Sequence, residues 1–176
     1  MPSRTVVRTI RLTSDADRQL RGDANKKDLT VSALISSVLD KYLKWDRYIG
    51  KDGLITVSRR TLTIILGYLK EEQVIELAKR LGSVTTKDMM IQHSTKSGVD
   101  GFLDVIDLLS KYEKLFEYDT VVENGTYRVI LRHELGRRWS LFLVHFLEEA
   151  LTNGAINSQT RMEDNSVMFI LHSTTD

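Results

Sequence analysis

Apolar residues follow two rhythms along this chain. One has the period of a strand, the other that of an amphipathic helix. Residues 5–12, rich in Val, Thr and Ile, read as a short strand. Thr13 or Ser14 then caps a thinly apolar helix carrying Ala16, Leu20 and Ala24, with Asp15 and Asp17 in its first turn, where the helix dipole favours acids. The polar run Asn25-Lys26-Lys27-Asp28 ends it, and Thr30 caps a second helix over residues 32–44. That helix is strongly amphipathic, with Val31, Leu34, Ile35, Val38, Leu39, Tyr42 and Leu43 on one side.

Gly50 and Gly53, flanking Lys51 and Asp52, make the first clear break, and the pattern divides there into residues 1–48 and 53–176. Behind the break a short strand is expected over 54–57, helices over 59–69 and 71–81, a strand over 87–93, and a helix over 98–112. A β-hairpin over 116–134 follows, turning at Asn124-Gly125, the pair preferred in a type I′ turn. Its register pairs Glu123 with Thr126, Val122 with Tyr127, Thr120 with Val129, Tyr118 with Leu131 and Phe116 with His133 on a nearly all-apolar face. On the other face Glu117 meets Arg132 and Val121 meets Arg128. A long helix over 135–151 and a closing hairpin over 156–161 and 166–171 complete the reading. The expected class is α+β, with an antiparallel sheet covered by helices on one side.

Charge changes this picture in one respect. The net charge is only +1 over 176 residues, yet residues 1–48 carry ten Lys and Arg against six Asp and Glu, and the remainder carries fifteen against eighteen. A basic front part suits a polyanionic partner there. The absence of cysteine excludes disulfides, thiolate metal sites and cysteine nucleophiles. No stretch reaches the roughly 20 apolar residues of a membrane helix, and a cytoplasmic protein without membrane contact is expected.

A lone strand with two helices has too little core to stand alone and leaves its backbone unpaired. Two copies of residues 5–12 paired antiparallel would resolve both problems, and such a two-stranded ribbon fits the DNA major groove. Alternation then turns Ile10 and Leu12 toward the helices and Val7, Thr9 and Arg11 toward the groove, with Arg11 able to read guanine. Arg8 and Arg4 reach outward to phosphates. The amides at Thr30-Val31-Ser32 and the Thr30 and Ser32 hydroxyls form a phosphate clamp, with Lys26 and Lys27 just upstream.

The run Arg8-Thr9-Ile10-Arg11-Leu12, a helix, then Leu29-Thr30-Val31-Ser32-Ala33-Leu34-Ile35 and Leu39, Tyr42 and Leu43 resembles the ribbon-helix-helix family of Arc-, MetJ- and CopG-type repressors. The resemblance covers about a quarter of the chain. It implies a homodimeric, sequence-specific transcription regulator, of the repressor kind, binding double-stranded DNA. Antitoxins and nucleoid-type proteins use the same module, and an arm that only dimerises, without DNA, is the competing interpretation. The chain departs from the pattern at Gly22, inside the first helix, and lacks the usual glycine before the second, a turn role assigned here to Asn25.

In the rear part, Arg137 and Arg138 open the long helix and form a candidate anion- or partner-binding patch, the alternative being a solvated face. The rear domain is expected to add oligomer contacts, an effector pocket or a partner surface. Four histidines, His93, His133, His145 and His172, show no metal-ligand spacing, and His133 falls on the apolar hairpin face. No nucleophile elbow or phosphate loop is present. Neither an enzyme, a metal site nor a cofactor is expected.

Overall fold

The computed structural model describes residues 6–47, 56–93 and 96–172. The chain divides into two compact units, Met1–Asp52 and Gly53–Asp176. Arg4, Thr5 and the glycines of the expected break at Gly50 and Gly53 lie outside the described residues.

In the first unit, α1 spans Ser14–Asn25 and α2 spans Val31–Lys41, and one π-helical turn, Tyr42–Asp46, continues α2. Both N-caps are the threonines the sequence nominates. Thr13 Oγ1 accepts from the Ala16 amide at 3.2 Å and Thr30 Oγ1 from the Ala33 amide at 3.1 Å. The left-handed residue between the helices is Asp28, at φ 52°, and not Asn25, which remains helical. Asp tolerates this conformation without a glycine, because its short side chain bonds locally. Ahead of α1, residues 6–13 form neither helix nor strand. Of the ribbon strand expected over 5–12, the described residues 6–12 form no strand in the single chain.

The second unit is mixed α+β. Its elements are α3 (Arg59–Tyr68), α4 (Glu71–His93), α5 (Gly98–Leu108) with a π-helical turn Leu109–Glu113, β1 (Glu117–Glu123), β2 (Thr126–Arg132), α6 (Arg137–Asn153), β3 (Ser158–Met162) and β4 (Ser166–His172). The four strands make one antiparallel sheet ordered β1-β2-β4-β3. The first hairpin has the expected register from Glu123 opposite Thr126 to Glu117 opposite Arg132. Its turn places Asn124 and Gly125 at φ 49° and 75°, as a type I′ turn demands.

Two expectations fail here. Of the strand expected over 54–57, Leu54 and Ile55 lie outside the described residues and Thr56 and Val57 are not in a strand, while Ser58 caps α3 by accepting from the Thr61 amide. Residues 87–93 belong to α4 rather than to a strand. The short apolar run Met89-Met90-Ile91 has no period that separates the two states. The helix expected over 71–81 instead runs on through Gly82 to His93.

The core lies between the sheet and α5 and α6. Val129, Leu131, Val167, Phe169 and Leu171 point inward and are fully buried, as are Phe102 and Ile106 of α5 and Leu147 and Leu151 of α6. Phe102 meets Phe169 edge-on, with ring centroids 6.4 Å apart. α4 packs along α6 through Val74, Ala78 and Gly82, a buried stripe of decreasing size at four-residue spacing. At Gly82 the helices come so close that a Cβ would sit 2.6 Å from the Phe146 carbonyl oxygen and 2.9 Å from Glu149 Cβ.

Gly82 and Gly22 therefore predict opposite outcomes. Gly82→Ala gains up to about 1 kcal/mol of helix propensity but overpacks the crossing at about 1–3 kcal/mol, so the chain loses stability. Gly22→Ala meets nothing within 4 Å, and stabilises by up to about 1 kcal/mol. Urea denaturation of each variant measures both signs.

Candidate nucleic-acid interface

The residues nominated for DNA contact come from three places in the first unit. Val7, Arg8, Thr9 and Arg11 sit on the unpaired stretch before α1, all exposed. Lys26 and Lys27 sit on the turn after α1, and Thr30 and Ser32 at the start of α2. Arg4 lies outside the described residues.

The cations of this unit are unequally engaged. Arg18 is held by Asp15 at 3.0 Å, Arg21 by Asp17 at 2.8 Å and Lys26 by Asp23 at 3.2 Å. Arg8, Arg11 and Lys27 make no ion pair with any described residue. The free positive charge thus gathers on the stretch before α1 and on the turn before α2, while α1 neutralises its own arginines. Thr30 Oγ1 is committed as a cap, yet its O–H remains a donor, and the Val31 and Ser32 amides of the first turn face outward from the helix end.

Apolar exposure in this unit is unusual. Among its described residues only Ala24, Leu34 and Trp45 are buried hydrophobics. Val38, Leu39, Tyr42 and Leu43, on the apolar side of α2, are each more than half exposed, and so are Val6, Val7 and Ile10. Leu12 and Leu29 are exposed as well.

In the second unit Arg137 and Arg138 serve internal acceptors. The Arg138 guanidinium donates to the Leu66 and Gly67 carbonyls, satisfying the C-terminal end of α3. Arg137 stands 3.9 Å from Glu71 and 3.8 Å from Asp164. Among the described residues no three His, Cys, Asp or Glu gather as a metal site, and no helix is long and apolar enough to cross a membrane.

The sequence reading missed a buried polar junction beside Arg137. His133 Nδ1 accepts from the Leu135 amide at 3.2 Å, so the ring proton sits on Nε2, which donates to Ser140 Oγ at 2.9 Å. Ser140 Oγ in turn donates to the Asp164 carbonyl at 3.1 Å. The His133 amide donates to the Asn165 carbonyl, and the Gly136 amide to Asn165 Oδ1. Gly136, at φ 79°, supplies the left-handed corner from β2 into α6. With its proton committed to a carbonyl and its oxygen accepting from the imidazole, Ser140 is held as a strut and not as a nucleophile. Burial lowers the His133 pKa below its usual value of 6.5.

No protein-family model matches the chain, and no curated protein matches it in sequence.

His133→Ala strands the Leu135 amide and part of the Ser140 hydroxyl in the interior, at an expected loss of about 1–3 kcal/mol in chemical denaturation. The neutral imidazole also sets a pH window. Below 6.5 the unfolded chain takes up a proton that the folded chain refuses, so stability is full above 6.5 and falls as pH drops toward the lowered folded value. The melting temperature followed from pH 7.5 to 5.5 shows this slope, and His133→Gln flattens it.

Proposed function

We propose that the chain is a sequence-specific DNA-binding transcription regulator. It acts as a homodimer through a ribbon-helix-helix module in residues 1–48, with double-stranded DNA as its partner. The observation that carries this reading is the unmet burial of the first unit. A helix pair with three buried apolar side chains presents a line of exposed aliphatic residues on α2 and on the stretch before α1. A second copy supplies the missing half of that core, and an antiparallel pairing of the two stretches supplies the missing strand partner. Once paired, alternation leaves Val7, Thr9 and Arg11 on the outer surface of the ribbon.

Arg8, Arg11 and Lys27, without an acidic partner among the described residues, favour DNA over an arm that merely dimerises. In the DNA reading Arg11 reads a base edge, Thr9 makes one bond or touches a thymine methyl, and Arg8, Lys26, Lys27, Thr30 and Ser32 hold phosphates. Arg4 reaches a phosphate alongside Arg8.

Binding of the full chain to operator and random duplex across a salt series tests the reading. The affinity for random duplex falls steeply and linearly on a log–log plot. Arg11→Ala costs about 1–3 kcal/mol on the selected site and relaxes preference at one position. Lys27→Ala weakens all duplexes alike and reduces the salt slope by about one. Binding that is indifferent to salt leaves only the dimerising arm.

Dimerisation has its own signature. Leu39→Asp places a charge in the apolar line of α2 and converts the chain to monomer in sedimentation velocity, with loss of operator binding. Dimer mass retained in Leu39→Asp places the interface elsewhere.

A further inference from the structure

The sheet of the second unit has two unlike faces. Its odd-numbered central positions form the core. The even-numbered positions of β2 and β4 point the other way, and a solvated antiparallel face ordinarily carries polar residues there. Here the centre of that face is Ile130 directly opposite Met168, with Ile170 next along β4, all half-exposed. Val121 on β1 adds to the strip and is 42% exposed. The margins are charged and asymmetric. β1 contributes Glu117, Asp119 and Glu123, whereas β3 contributes Arg161, and Arg128 stands on β2. Arg128 and Arg161 have no acidic partner among the described residues, while Asp119 is held by Arg132.

The geometry points to a second copy of this chain as the occupant of that face, packed sheet against sheet about a two-fold axis parallel to the strands. Such an axis lays β1 of one copy over β3 of the other and β2 over β4, and keeps each cross-strand row in register with its counterpart. Because Asp119, Ile130, Met168 and Arg161 form one row, Asp119 then falls over Arg161 of the other copy and Ile130 over Met168. Glu117 falls near Glu163 at the rim, where water remains. The alternative axis, across the strands, lays the acidic β1 edge upon itself, with Arg132 already held by Asp119 of its own copy and Arg128 one strand away. Charge selects the first arrangement.

Area sets the condition under which it forms. Three strand spacings of about 4.8 Å and three rows of side chains give about 300–400 Å² per copy, below the roughly 1,000 Å² total expected of a free-standing interface. The contact therefore needs the two chains already joined, which raises the effective concentration of one rear domain for the other. In that respect the inference rests on dimerisation of the front module.

The chain contains no cysteine, so a single introduced cysteine reports only contacts between copies. Met168→Cys in the full chain, treated with a short bis-maleimide, gives a covalent dimer on denaturing gels, and Ile130→Cys gives the same. Asp119→Cys does not, because the axis carries the two Asp119 positions to opposite edges. Adding Arg161→Asp to Met168→Cys lowers the yield several-fold, and adding Asp119→Arg as well restores it. Sedimentation of the same samples reads the front module separately. Dimer mass without capture of Met168→Cys and Ile130→Cys overturns this inference and leaves the front-module reading intact. Capture of Asp119→Cys overturns the assigned axis, and a monomeric chain overturns both readings.

Discussion

The governing constraint on this molecule is burial in its first unit. Two short helices and an unpaired stretch hide Ala24, Leu34 and Trp45, whereas the aliphatic residues further along α2 stay in water. Ordering each residue costs about 1–2 kcal/mol of backbone entropy, and the burial of one fully hidden aliphatic side chain returns only about 1.5–3 kcal/mol. With so few buried side chains among its described residues, the unit has little burial to offset that cost, and in the proposed dimer a second copy supplies the missing surface. Good N-caps at Thr13 and Thr30 and the exposed ion pairs along α1 lower the deficit by small amounts and do not remove it. In the proposed regulator, stability of the first unit is thereby coupled to dimerisation.

The second unit meets the same constraint differently. Its sheet closes on α5 and α6 with a row of fully buried side chains, and α4 adds a further layer through the Val74, Ala78 and Gly82 stripe. Polar contacts between segments distant in sequence tie two of its corners. Arg138 satisfies the carbonyls at the end of α3, and His133, Ser140 and Asn165 tie the β2–α6 corner to the β3–β4 turn. This explains why Arg137 and Arg138, which look like an anion patch in sequence, are largely spent on the fold. Outside this core the outward sheet face still carries Val121, Ile130, Met168 and Ile170 beside charged margins, and α3 and α4 expose Ile64, Ile65, Tyr68 and Val84.

How much of this was legible depends on the range of the interactions involved. The first hairpin was readable from Glu117 opposite Arg132 to the turn, because an Asn-Gly turn fixes the count and alternation fixes the face, whereas the expected pair of Phe116 with His133 lies beyond the observed ladder. Both threonine caps were readable because a cap acts within three residues. The length of α4 was not. Its continuation past Gly82 depends on α6, which lies more than fifty residues away in sequence and demands the absence of a side chain there. Asn25 was taken for the turn residue because local composition permits either Asn or Asp in the left-handed region, and the register of α1 decides for Asp28. The His133–Ser140 pair left a faint trace, a histidine on an apolar strand face, but its third partner comes from the turn between β3 and β4. In the first unit the sequence showed which side chains are amphipathically arranged, and among the described residues most of that apolar side is exposed.

The two units divide the work of recognition in a way that follows from their cores. An element that orders only on pairing acquires its groove-facing side chains and its dimeric state in the same event, so base reading and two-fold symmetry are coupled in the proposed regulator. In that reading Arg8, Arg11 and Lys27, which have no ion-pair partner among the described residues, are the cations available to phosphate, whereas Arg18 and Arg21 are already answered by α1. A rear face too small to hold two chains by itself would bind only chains already held at the front. Association at the rear would then depend on occupancy of the front module, and anything that shifts one equilibrium shifts the other by the same free energy.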